Sequence, residues 1–146
     1  MGLSFISPDQ ACSNAESEIP TFDSTADFNA VVESSVSQFE TLLNRIRVDT
    51  TNVPHDTLKL FYSSLYRTLI SPQNYTEENP LWETTEPTFD SFYCIWDTFR
   101  FTHPLYNVFV PEAQSEMIRS LLDIYRFEGW LPECRYPPFY VWLIGE

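Results

Sequence analysis

The residues best equipped for chemistry gather just after Asp90. From Phe92 the chain reads Phe-Tyr-Cys-Ile-Trp-Asp-Thr-Phe-Arg to Arg100, then Phe-Thr-His-Pro-Leu. Asp97 and Arg100 set a carboxylate and a guanidinium beside an aromatic edge. A ring stacks on the C–H face of a sugar while charged groups bond its hydroxyls, so such a set can grip a polar, ring-shaped ligand. On a helix, Phe92, Ile95, Trp96 and Phe99 fall at i, i+3, i+4 and i+7 and form one packed stripe. Asp90, Tyr93, Asp97 and Arg100 form a second stripe beside it. By spacing alone the plainer use is favoured: Asp and Arg three apart on a helix make a modest surface ion pair.

Other candidates are weaker. Glu77, Glu78, Glu83 and Glu86 supply carboxylates in the long irregular stretch from Ser71 to Thr88, but no geometry, and charges in a loop are usually solvated. None is assigned a catalytic role. His55 and His103 have no nucleophile at a useful spacing, and His103 before Pro104 reads as structural. Cys12, Cys94 and Cys134 are odd in number and widely spaced, which argues against a closed disulfide framework and against zinc. Cys94 reads as a small buried apolar residue. Asn74-Tyr75-Thr76 is a glycosylation acceptor if the chain enters the secretory pathway, and otherwise an ordinary loop tripeptide.

The elements that must position these residues are mostly helical. Leu3 to Ser7 alternates and reads as a short strand ending at Pro8; Gln10 to Pro20 reads as a short acidic helix or loop. Ser24 with Asp27 opens a helix to about Val48, whose apolar face carries Phe28, Val31, Val32, Phe39, Leu42, Leu43 and Ile46. Pro54 and Asp56 suit the first turn of a second helix, bearing Leu58, Phe61, Tyr62, Leu65, Tyr66 and Leu69 and ended by Pro72. In the loop that follows, Trp82 is either a stacking platform or a cover over a hydrophobic gap. A third helix, about Thr88 to Thr102, carries the Trp-Asp-Thr-Phe-Arg motif and is broken by His103-Pro104. Pro111-Glu112 starts a fourth, with Met117, Ile118, Leu121, Leu122, Ile124 and Tyr125, closed by Gly129 as a left-handed cap.

Several of these stretches occur together in a known family. Leu65-Tyr66-Arg67-Thr68-Leu69, Trp96-Asp97-Thr98-Phe99-Arg100, Pro104-Leu105 and Gly129-Trp130-Leu131-Pro132 resemble glycoside hydrolase family 92 in order and spacing. Upstream the likeness takes in Gly2 to Ser7 and Ala11 to Ile19; downstream it reaches about Arg135. The family contains calcium-dependent, inverting exo-α-mannosidases built from a β-sandwich joined to an (α/α)6 barrel. The resemblance implies a mostly α chain forming part of that barrel, about four amphipathic helices preceded by a strand left from the sandwich. Residues 1–20 would be the sandwich end and linker, 21–135 the first barrel helices and 136–146 a divergent tail. That aromatic, proline-bearing tail suggests truncation or an error in the gene.

The resemblance further implies that Trp96, Asp97 and Arg100 bind substrate in the terminal mannose subsite, with Trp130 a further sugar contact or a core residue. An inverting glycosidase needs one carboxyl group to protonate the leaving oxygen and a second to activate water. The family places both, and its calcium ligands, beyond this chain. No catalytic or metal residue is therefore expected here, and calcium is expected only in the whole enzyme. The implied partner is a mannose-containing glycan, an N-glycan or a mannan. A non-catalytic helical binding or interaction module is the competing reading, and an acidic helical protein with no glycan function a third.

Composition bounds the remaining classes. The net charge of −13 repels nucleic acid and anionic membrane surfaces. No run approaches the roughly 18 apolar residues of a membrane-spanning helix. No signal peptide is visible, which by default indicates the cytoplasm. Barrel helices bury two faces, so these residues alone are expected to expose an apolar patch and to self-associate or remain molten.

Overall fold

A computed structural model of the chain describes residues 2–19, 24–135 and 141–142, the last two by their backbone. Among the described residues the elements are α1 (Pro8–Glu18), α2 (Thr25–Leu43), α3 (His55–Thr68), β1 (Gln73–Asn74), β2 (Phe89–Asp90), β3 (Tyr93–Cys94), α4 (Ile95–Thr98), α5 (Thr102–Phe109), α6 (Pro111–Glu128), β4 (Cys134–Arg135) and β5 (Val141–Trp142). The fold is mostly helical with only short strands, in keeping with part of a helical barrel. It divides into two units, Met1–Leu65 and Tyr66–Glu146.

In the first unit, local sequence explains each boundary. The stretch Leu3–Ser7 is not a strand. Ser4 Oγ accepts from the Ile6 amide, Leu3 O accepts from Asn14 Nδ2, and Ser7 both caps α1 through its hydroxyl and receives the Ala11 amide at its carbonyl. Those groups are thus used in starting a helix instead of a ladder. A reciprocal capping box opens α2: Ser24 Oγ accepts from the Asp27 amide, and Asp27 accepts from the Ser24 amide. The helix ends at Leu43, short of Val48, because the amides of Arg45 and Ile46 turn back to Leu42 and Leu43 in i→i+3 bonds. Neither α1 nor α2 contains a buried residue.

The second unit holds most of the buried apolar side chains: Phe89, Phe92, Tyr106, Phe109, Val110, Met117, Ile124 and Cys134. Here β1 pairs antiparallel with β2, and β3, β4 and β5 form a three-stranded antiparallel sheet. The continuous helix expected over Thr88–Thr102 is absent. Thr88 O accepts from the Tyr75 amide, the Phe89 amide goes to Ser120 Oγ and the Ile95 amide to Glu133 O. These tertiary bonds replace the helical ladder, and Ser91 (φ 61°) and Tyr93 (φ 56°) sit in the left-handed region. That conformation costs on the order of 1–2 kcal/mol per residue and persists because β2 and β3 are held on both sides.

The role expected of His103-Pro104 is reversed: the pair lies in the first turn of α5. Pro is tolerated there because its missing N–H has no intrahelical acceptor to serve. The fourth expected helix is α6, with Gly129 at φ 86° as its left-handed cap. The cysteines also need correction. Opposite register in β3 and β4 brings Cys94 against Cys134, Cα atoms 4.2 Å apart, in a disulfide; Cys12 is free and exposed. An odd count leaves one cysteine over but does not forbid a bridge, and strand pairing closes the sequence gap of 40 residues. The expected tail of residues 136–146 lies outside the described residues except for Val141–Trp142, whose backbone pairs with β4.

Candidate functional site

The second unit carries two sets of polar residues with different exposure. The first surrounds Arg135, whose side chain is 1% exposed. Its Nε lies 3.3 and 3.2 Å from Asp90 Oδ1 and Oδ2, its Nη2 3.0 Å from Asp90 Oδ2 and its Nη1 2.7 Å from Glu128 Oε1. Asp90 Oδ1 also accepts from the Ser91 amide at 2.6 Å. Burial opposes the charge on the guanidinium, but the hydrogen bonds and negative charges of Asp90 and Glu128 more than offset it and raise its pKa. Asp90 is therefore not on a stripe with Tyr93, Asp97 and Arg100: it points into the core, whereas Tyr93 is exposed.

Adjoining this cluster, Trp82 Nε1 donates to Asp123 Oδ2 at 3.0 Å, and its ring stacks on Phe127 with centroids 5.0 Å apart. Glu86 bridges Arg119 at 2.7 Å and Arg126 at 3.5 Å. Trp82 thus covers apolar surface, and Glu86 is neutralised by two arginines. The cavity lined by Asn79, Trp82, Asp90, Ser120, Asp123 and Arg135 measures about 10 Å³. That is near the least volume that admits one water, and no sugar ring enters it. His103 Nδ1 lies 3.0 Å from Gln114 Oε1 and its ring meets Tyr106 edge-on, a packed position.

The second set is Trp96, Asp97 and Arg100, all exposed. Trp96 and Asp97 lie in α4, and Arg100 lies in the turn that follows. Two covalent and backbone ties fix the start of α4: the Cys94–Cys134 bridge and the bond from the Ile95 amide to Glu133 O at 2.9 Å. Among the described residues Asp97 and Arg100 form no ion pair with each other; the Arg100 guanidinium instead lies 5.6 Å from the Phe99 ring centroid. The carboxylate, the guanidinium and the Trp96 indole are all open to solvent. Trp130 is half exposed.

A calcium site requires six to eight oxygens converging on one point. Among the described residues no group of three or more His, Cys, Asp or Glu side chains is so placed. Asp90 and Glu128 are taken by Arg135, and Asp97 stands alone, so these residues do not fit the ion. The residues that the sequence did not reveal are Arg135 and Glu128. The one available signal was the scarcity of cations, eight Lys and Arg against 21 Asp and Glu, which makes a buried arginine an anchor for acids.

The second unit thus presents an aromatic, an acidic and a basic residue to solvent within five positions of sequence. Residues 10–145 match the model of the glycosyl hydrolase family 92 catalytic domain, and the chain belongs to that family. The match continues past Arg135, where the motif resemblance ends. Over 134 residues the chain is 41% identical to a protein of Arthroderma benhamiae named "Uncharacterized secreted glycosidase". The aligned part is 92% of this chain and 14% of that relative. The relative's description as secreted overturns the default assignment to the cytoplasm, which rested on a leader not being visible. A disulfide fits the correction, since such bonds persist in oxidising compartments.

Proposed function

We propose that this chain forms part of a glycoside hydrolase that removes terminal α-mannose from N-glycans or mannans, by inversion and with calcium, outside the cytosol. The observation that carries this reading is the family match over residues 10–145, joined to a relative described as a glycosidase. In it, Trp96 stacks on the sugar, and Asp97 and Arg100 bond its hydroxyls and fix its orientation. Catalytic acid, base and calcium are not assigned to this chain, and no step is derived through them. Orientation alone gives no appreciable turnover, so the activity belongs to the whole enzyme.

The test is calcium-dependent release of mannose by the complete enzyme, with the anomer followed by NMR. Asp97→Asn in that enzyme is expected to lower kcat/KM roughly 10- to 100-fold, the loss of one charge-assisted hydrogen bond of about 1.5–3 kcal/mol. Unchanged kinetics with a mannoside would remove Asp97 from the subsite.

A second reading, an interaction module, is favoured by the exposure of Phe28, Val31, Val32, Val36 and Phe39 on α2. We propose that the isolated chain self-associates through such apolar residues. Sedimentation checks this: Val36→Ser should shift the distribution toward monomer, and a monodisperse monomer of the unaltered chain would refute it.

A further inference from the structure

Asn74-Tyr75-Thr76 is the one Asn-x-Ser/Thr triplet in the sequence. Nothing in the glycosidase reading uses it. Asn74 ends β1 and is exposed, as is Thr76. Its side-chain Oδ1 accepts from the Thr76 amide at 2.9 Å and from the Thr76 hydroxyl at 2.6 Å. The Asn74 Nδ2 group has no hydrogen-bond partner among the described residues. The Thr76 hydroxyl in turn accepts from the Thr88 amide at 3.2 Å, so the turn is tied to the loop end that leads into β2. With the carbonyl oxygen engaged and the nitrogen free, this folded turn has room for a substituent on Nδ2 and loses no bond when it gains one.

The compartment agrees. In the same unit Cys94 and Cys134 are bridged, and the Arthroderma benhamiae relative is described as secreted. We propose that Asn74 is an N-glycosylation site. Asn74 Nδ2 forms a bond to the anomeric carbon of an N-acetylglucosamine. The bond between that carbon and the pyrophosphate of a lipid-linked oligosaccharide breaks, the pyrophosphate leaves with the electron pair, and the amide loses one proton to a base. The enzyme receiving the glycan is thereby itself a glycoprotein, whatever glycan it acts upon.

The experiment sends the chain into the secretory pathway of a eukaryotic host behind that host's leader, so that entry is imposed. Material from the lumen and the medium is digested and treated with peptide-N-glycosidase in heavy-oxygen water, and the peptide holding Asn74 is analysed by mass spectrometry. The same digest reports the Cys94–Cys134 bridge, an independent marker of passage through an oxidising lumen. Conversion of Asn74 to heavy-labelled Asp, abolished by Asn74→Gln and by Thr76→Ala and retained at lower occupancy by Thr76→Ser, supports the site. A bridged chain with unmodified Asn74 overturns it. Loss of mannosidase activity in the complete enzyme would leave this readout untouched, so the two proposals fail separately.

Discussion

Helices α2 and α6 are nearly equal in length, 19 and 18 residues, and their fates are opposite. The more apolar of the two, α2 buries no residue, and Phe28, Val32 and Val36 are 52%, 43% and 50% exposed. The polar-rich α6 buries Gln114, Met117, Ser120, Asp123 and Ile124. Each buried polar group on α6 has a specific partner: Gln114 has His103, Ser120 the backbone of Phe89, and Asp123 the indole of Trp82. Polar groups can enter an interior when hydrogen-bonded, whereas an apolar stripe is buried only if something covers it. Apolar periodicity therefore marks a helix without telling how deeply it is packed.

The contrast can be broken most forcefully at Arg135. Arg135→Ala leaves Asp90 as an uncompensated buried acid beside the half-buried Glu128 and is expected to cost about 3–5 kcal/mol, read by chemical denaturation of the second unit's signal. A loss below about 1 kcal/mol would mean that water already screens the cluster. Removing the bridge with Cys94→Ala and Cys134→Ala should cost roughly 2–4 kcal/mol and loosen the start of α4, detectable as faster amide exchange at Ile95.

Next in size is an alkaline effect. Burial pushes the Tyr106 hydroxyl up to about 12, and it lies within hydrogen-bond reach of the carbonyls of Thr68 and Ser71. The folded value is above the unfolded value of 10.0, so the contribution is whole below pH 10 and is lost as pH rises toward about 12. It amounts to on the order of 2 kcal/mol, and Tyr106→Phe should abolish that part of the pH dependence in thermal melts. The smallest effect sharpens the other side of the comparison. Val36→Ser on α2 should change stability by less than about 0.5 kcal/mol while reducing association.

Where structure is written in neighbouring residues, it could be read directly. The Ser24/Asp27 box, Pro54 before α3, Pro111 at the start of α6 and Gly129 at its end are all local events, and all occur where expected. The stretch from Thr88 to Thr102 could not be read that way. Its i, i+3, i+4 spacing suits a helix, but Phe89 and Phe92 are buried, and the strand that holds Phe89 packs against α6. The bonds that win there come from Tyr75, Ser120 and Glu133, far along the chain. The candidate site shows the same limit: Trp96, Asp97 and Arg100 are near one another along the chain, while Asp90 belongs to Arg135, 45 residues away.

The sequence by itself determined the family, the helix caps and the acidic character, because each depends on residue type and on contacts within a few positions. Only the tertiary structure decided that Cys94 meets Cys134, that Arg135 lies buried between two acids, and that α4 is a single turn. Those outcomes depend on pairings over tens of residues. There the gain in burial and hydrogen bonding outweighs local helical preference.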